Sequence, residues 1–257
     1  MAVSHGKRPT LPTSSKRKSA EELAAEASSR RHVFGRKKGK TLRSRHANLM
    51  ETLFPKVSIS LENPVIEPKT LFEPAVADVW LEIGFGGGEH LSWQAQNNPL
   101  VGILGCEPFI NGVAKLVSEI DTYDLKNVRI HADDARFLLE KLTPQSLSRS
   151  FILYPDPWPK QDQKKRRFVN AETLGLISAA MKSGGELRVA SDIPDYVNWT
   201  LKHIAAHNAL GKSQFIWQNK DLSECRVRPD DWPQTRYEQK ALRENRVPAY
   251  LRFIHQS

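Results

Sequence analysis

The chain has 257 residues, 39% of them hydrophobic, with two cysteines and a net charge of +9 at neutral pH, which is room for one large α/β domain or two small ones. It contains no run of about eighteen apolar residues to span a membrane, and its charged start lacks the apolar stretch of a secretory signal. Cys106 and Cys225 stand in no metal-ligand spacing, so a reduced cytoplasmic protein without a metal is expected. The charge is uneven: residues 1–46 carry a net +10 and the remainder −1. Residues 1–31, rich in Ser, Lys, Arg and Pro, bury too little to offset ordering entropy and read as a disordered basic tail. Residues 32–74 read as an arm that anchors on the core through Phe34, Leu42, Leu49, Leu53 and Phe54, punctuated by prolines. Residues 75–257 form the main domain.

From Val79 the pattern alternates. Strands are expected at Val79–Ile83, Val101–Cys106, Val128–His131, Phe151–Tyr154 and Gly185–Ala190. Helices are expected at Glu89–Asn97, Ile110–Ile120, Ala135–Leu142, Asn170–Lys182 and Asp195–Asn208. Two late strands, Ser213–Gln218 and Ala249–His255, lack the usual crossover helix and fit an antiparallel hairpin at the sheet edge. The prediction is a doubly wound α/β domain with a mostly parallel, seven-stranded Rossmann-like sheet.

Chemistry gathers where strands end. Glu82-Ile83-Gly84-Phe85-Gly86-Gly87-Gly88-Glu89 links the first strand to the first helix. Gly84 and Gly86 let the chain turn and a ligand approach the backbone. A dinucleotide fingerprint would need Gly or Ala at the sixth position from Gly84, where Glu89 stands. Glu82 ahead of the turn suits a cationic ligand, so S-adenosylmethionine fits better than NAD. Glu107, after the second strand, can accept from ribose hydroxyls. Of Asp133 and Asp134, one can accept from an adenine amino group while the other caps a helix.

After the fourth strand comes Tyr154-Pro155-Asp156-Pro157-Trp158-Pro159-Lys160, then Lys164-Lys165-Arg166-Arg167. Three prolines exclude helix and central strand, leaving a stiff loop that presents an acid, an indole and a block of positive charge. That suits a nucleobase on a phosphate chain. Asp192 ends the fifth strand on the same rim. The segment Trp232–Glu238 is polar and lies outside the alternating core.

Together these residues resemble the bacterial tRNA (guanine-N7-)-methyltransferase family from about Arg31 to the C-terminus. The Pro-Asp-Pro-Trp-Pro-Lys loop with its basic run is the specific part of the likeness. Thr235-Arg236-Tyr237-Glu238 is similar to a late family motif, with Tyr in the place of Phe. The resemblance implies S-adenosylmethionine contacts at Glu82, Glu107 and Asp134, beside the Gly84–Gly86 turn. It makes Asp156 the central acid between cofactor and guanine. It implies substrate contacts at Lys160, Asp192, Thr235, Arg236, Tyr237 and Glu238, and RNA contacts at Lys164, Lys165, Arg166 and Arg167. The family methylates a guanine in the tRNA variable loop. The expected partner is therefore tRNA, with no obligate protein partner evident. Two other readings stay open: a nicotinamide oxidoreductase, and an RNA-binding protein on this fold without activity.

Overall fold

In the computed structural model, residues 37–219 and 221–257 are described, all of them within the compact unit Gly35–Ser257. The tail expected over residues 1–31 lies outside them, as do the first residues of the arm. Seven strands form one sheet: β1 Asp78–Ile83, β2 Val101–Cys106, β3 Val128–His131, β4 Leu147–Leu153, β5 Met181–Ser191, β6 Gln214–Trp217 and β7 Ala249–Gln256. Their order is β3-β2-β1-β4-β5-β7-β6. The first five run parallel, and β7 lies antiparallel between β5 and β6. The late strands are antiparallel at the edge as expected, but residues 218–248 separate them, so they are not a tight hairpin.

The central strands β1 and β2 are buried on both faces, which is why they read as nearly continuous apolar runs. Alternate residues feed two cores. Val79, Leu81, Leu104 and Ile152 face one, and Trp80, Ile103 and Phe151 face the other. Among the described residues eight α-helices flank the sheet: α1 Ser44–Thr52, α2 Phe54–Val57, α3 Glu89–Asn97, α4 Ile110–Tyr123, α5 Ala135–Leu139, α6 Ala171–Ala180, α7 Pro194–Asn208 and α8 Arg236–Arg243. Helix α6 starts in a capping box, with the Asn170 side chain on the Thr173 N–H and the Thr173 hydroxyl on the Asn170 N–H. Pro194 opens α7, where its missing N–H costs nothing. Helix α5 stops at Leu139, three residues before the expected end.

Residues 37–71 lie along the sheet's β3 side. The Ile59 N–H donates to the Ile130 carbonyl (2.8 Å) and that of Ile66 to Lys141 (2.7 Å). Helix α1 buries Leu49, and its Arg45 pairs with Asp121 at 3.0 Å. Asn111 holds the chain ahead of α1, accepting from the Gly39 N–H (2.7 Å) and donating to the Lys40 carbonyl (2.6 Å).

Candidate active site

The strand order reverses between β1 and β4, and at such a point the loops leaving the carboxyl ends separate and open a crevice. The turn after β1 therefore lies beside the proline loop after β4. Gly84, Gly86 and Gly88 all have left-handed backbones, at φ 71°, 58° and 82°, which glycine adopts without the cost other residues bear. A side chain at Gly84 would meet nothing within 4 Å, so this backbone is open to a ligand. Helix α4 packs against the turn so closely that a Cβ at Gly112 would sit 2.0 Å from the Gly86 carbonyl oxygen.

Glu107 braces the turn. Its carboxylate accepts from the Gly86 N–H (2.7 Å) and the Phe109 N–H (2.9 Å). Each oxygen keeps a lone pair, the requirement for holding a pair of hydroxyls. Burial raises the Glu107 pKa, and the charge of Asp156 adds to the rise, against hydrogen bonds from Phe109 and Gly86 and the nearby Arg236. Asp156 is exposed, yet desolvation also raises its pKa. Two carboxyls that penalise each other's charge favour a ligand carrying positive charge. A cleft beside the turn is lined by Glu82, Gly84, Phe85, Glu89, His90, Leu153, Tyr154, Thr235 and Tyr237.

The Pro155–Lys160 loop is held from beneath. Tyr154 and Trp158 both have left-handed backbones, φ 50° and 38°, a conformation that side-chain-bearing residues adopt only when neighbours enforce it. Arg167 supplies that restraint at Trp158, while the Tyr154 N–H is tied to the Ala190 carbonyl (2.8 Å). Arg167 is 1% exposed and donates to the carbonyls of Pro157 (2.8 Å) and Trp158 (3.4 Å) and to the Asp195 carboxylate (2.5 Å). Its guanidinium lies over the rings of Tyr196 and Trp199. The expectation that Arg167 meets RNA is therefore corrected: it is a buried clamp. Lys164 also turns inward, to Asp195 at 3.0 Å. Arg166 lies over the Trp158 ring, 5.0 Å from its centroid. Lys160 and Lys165 are exposed.

Two of the expected acids are committed elsewhere. The Asp134 carboxylate accepts from the Arg136 backbone N–H (2.9 Å) and pairs with the Arg136 guanidinium (2.6 Å). It is the helix cap, and its capacity to accept from a ligand is largely taken. Asp133 is the more open of the pair, with Lys37 at 4.0 Å. Asp192 is paired with Arg246 at 2.6 Å, which neutralises it at the rim. Glu82 lines the cleft, with one oxygen 2.7 Å from His90 Nδ1.

The segment at 235–238 comes to the glycine turn. Thr235 caps α8, accepting from the Glu238 N–H at 3.2 Å. The Arg236 guanidinium reaches Glu89 at 3.4 Å and lies against Gly87, while the Tyr237 ring lies against Gly86. Glu238 turns inward, 3.3 Å from Arg228; burial raises its pKa, with Tyr250 and Arg228 opposing the rise. Sequence reasoning gave no role to His90, which follows Glu89 at the end of the glycine turn, or to Gln94, Gly112, Arg228 and Arg246. The only signal for His90 and Gln94 is polarity on a helix face that is otherwise buried. Among the described residues no cluster of His, Cys, Asp and Glu could hold a metal ion, and no helix is long and apolar enough to cross a membrane.

A family model described as "Putative methyltransferase" matches residues 76–250. A tRNA (guanine-N(7)-)-methyltransferase of Ruegeria sp. (strain TM1040) is 47% identical over 231 residues, 88% of each chain. One from Paramagnetospirillum magneticum is 46% identical over 228 residues, 88% of this chain and 93% of that one. Among solved structures, the 16S rRNA methyltransferase KamB is 16% identical with a TM-score of 0.50, covering 71% of this chain and 89% of the other. That last likeness concerns the fold alone.

Proposed function

The chain belongs to the tRNA (guanine-N7-)-methyltransferase family, and we propose that it transfers a methyl group from S-adenosylmethionine to N7 of a guanine in the tRNA variable loop. The observation that carries this reading is a juxtaposition. At the one reversal of strand order, an acid-rimmed glycine turn meets the Pro-Asp-Pro-Trp-Pro-Lys loop.

When bound, the cofactor supplies a methyl group on a positively charged sulfur. The residues present fit it. Glu107 offers free lone pairs for ribose hydroxyls, Gly84 leaves the backbone open, and Glu82 and Asp156 offer negative charge to the cationic end. Asp133, less committed than Asp134, replaces it as the acid for the adenine amino group.

Guanine N7 has an in-plane lone pair and no proton at neutral pH, so this chain needs no general base. What it must do is position the base and stabilise charge that moves onto the purine. Asp156 accepts from the guanine N–H edge and stabilises the cationic product. Pro155 and Pro157, with Arg167 beneath, keep its carboxylate fixed, so little reorganisation accompanies the reaction. Lys160, Lys165 and Arg166 meet tRNA phosphates, and Arg166 stiffens the Trp158 ring as a stacking surface. Thr235, Arg236 and Tyr237 cover the substrate side of the turn. The protein works in the cytoplasm without an obligate protein partner.

Calorimetric titration of the full chain tests the cofactor side. S-adenosylhomocysteine should bind and NAD should not. Binding of NAD alone would favour an oxidoreductase, and binding of neither an RNA-binding protein without activity.

A further inference from the structure

His90 stands in the first turn of α3, with its side chain 2% exposed and that of Glu82 4% exposed. His90 Nδ1 lies 2.7 Å from Glu82 Oε2, and His90 Nε2 lies 3.2 Å from Gln94 Nε2. The Gln94 amide nitrogen is also 2.7 Å from the carbonyl oxygen of Asp231. That contact fixes the protons along the chain. A backbone carbonyl only accepts, so the Gln94 atom facing it is the amide NH2. Its other hydrogen points at His90 Nε2, which must then be the unprotonated ring nitrogen. The imidazole is neutral, its proton is on Nδ1, and it donates to Glu82. The opposite end of the Gln94 amide agrees, since its oxygen accepts from Asn98 Nδ2 at 3.2 Å. The ring itself is held edge-on against Phe151, with centroids 4.7 Å apart.

One oxygen of a buried carboxylate is thus satisfied by a neutral donor, and the carboxylate sits in the wall of the cleft. A neutral partner leaves the negative charge of Glu82 uncompensated, whereas a lysine or arginine there would cancel it. Asp231 also begins the segment that carries Thr235 to Glu238 over the glycine turn. We propose that His90 and Gln94 are positioning residues. They hold the Glu82 carboxylate, still charged, toward the ammonium of the methyl donor, and they tie it to the segment covering the turn. The proposal rests on the reading of Glu82 as the partner of that ammonium.

The test is S-adenosylhomocysteine binding to full-length variants, with tRNA binding in the absence of cofactor measured alongside. Glu82→Gln should weaken S-adenosylhomocysteine binding about tenfold or more, as expected for removal of a charged hydrogen-bond partner. His90→Leu should weaken it by a similar factor. His90→Asn, whose amide nitrogen occupies the place of Nδ1, should restore binding to within about threefold of wild type. The double variant Glu82→Gln/His90→Leu should bind no worse than Glu82→Gln, because one residue acts through the other. Gln94→Met, close to isosteric, should give a smaller loss and serves if His90→Leu does not fold. Residual tRNA binding in the absence of cofactor shows that each variant is folded. Wild-type binding by His90→Leu or Gln94→Met would overturn the proposal. So would equal losses in His90→Asn and His90→Leu, which would leave the ring a packing role only. Additive losses in the double variant would also overturn it. Wild-type binding by Glu82→Gln is a different result: it would remove Glu82 from the ammonium and with it the premise.

Discussion

In the proposed reaction Asp156 faces the guanine and Glu107 the ribose, and both carboxyls have raised pKa values. Desolvation raises the pKa of both, of buried Glu107 and of Asp156, exposed on its loop, and the charge of Asp156 adds to the rise at Glu107. A carboxyl whose pKa is higher folded than unfolded favours the fold at pH values below the unfolded one, and loses that advantage as pH rises through the folded one. At neutral pH both acids therefore work against the free protein and in favour of a cationic ligand. Asp156→Asn should leave the melting temperature of the free protein unchanged or slightly raised. It should lower the single-turnover methyl-transfer rate by about 100- to 1,000-fold. Thermal unfolding and single-turnover assays check the two halves. A lowered melting temperature with normal turnover would make Asp156 a structural residue. The acids themselves are legible in the sequence, since each closes an apolar run at a strand end. Their partners are not. Arg136 takes Asp134 from two residues away, while Arg246 reaches Asp192 from the chain just ahead of β7, which pairs with β5, and no spacing rule announces such a pair.

At the scale of elements, the proline loop and α8 show what local pattern can and cannot give. Three prolines announce a stiff loop, but not that Arg167 beneath it is a clamp. In a run of four cations the buried one looks like its neighbours until the loop carbonyls and Asp195 are seen around it. Arg167→Lys keeps the charge and loses the planar fork that reaches several acceptors at once. It should lower the melting temperature by several degrees and reduce kcat at least tenfold, with S-adenosylhomocysteine affinity within about twofold of wild type. Equal kcat in Arg167→Lys and wild type would show that the loop holds its shape without the fork. Helix α8 is readable in hindsight: Thr235-x-x-Glu238 is the pattern of a capping box. It reads as a polar loop only because its residues lie outside the strand–helix alternation. The strands β1 to β5 are legible because each carries apolar residues, such as Val79–Leu81 in β1 and Phe151 and Ile152 in β4, where it is buried in the sheet.

The whole molecule joins this late segment to the sheet through charge. Asp231 pairs with Arg188 (2.8 Å) and Arg149 (3.5 Å), which also share Glu186. Burial pushes the Asp231 pKa up, but the hydrogen bond and charge of Arg188 outweigh it, and the net shift is downward. Such a group adds stability above its unfolded pKa, near 4, and that contribution disappears as pH falls through the lower folded value. Asp231→Asn should therefore be less stable than wild type at pH 7, with the gap shrinking as pH falls below the unfolded pKa, as chemical denaturation across an acid series would show. A gap that persists in acid would assign the loss to packing.

The uneven charge makes a separate prediction. Deleting residues 1–31, which carry Lys7, Arg8, Lys16, Arg17, Lys18, Arg30 and Arg31, should spare cofactor binding and weaken tRNA binding. The salt dependence should flatten by about 0.7–0.9 in log–log slope for each phosphate that the tail neutralises. An unchanged slope in binding titrations would show that the tail does not touch RNA. The overall topology is legible from the alternation of strands and helices. The insertion of β7 between β5 and β6 is not, because pairing between distant strands is set by tertiary packing.

The most direct measurement uses the full chain, S-adenosylmethionine labelled in its methyl group, and unmodified tRNA, followed by digestion and nucleoside analysis. The account predicts label in 7-methylguanosine, and disappearance of nearly all of that label with Asp156→Asn. Label in another nucleoside, or none from a protein that binds S-adenosylhomocysteine, would contradict it.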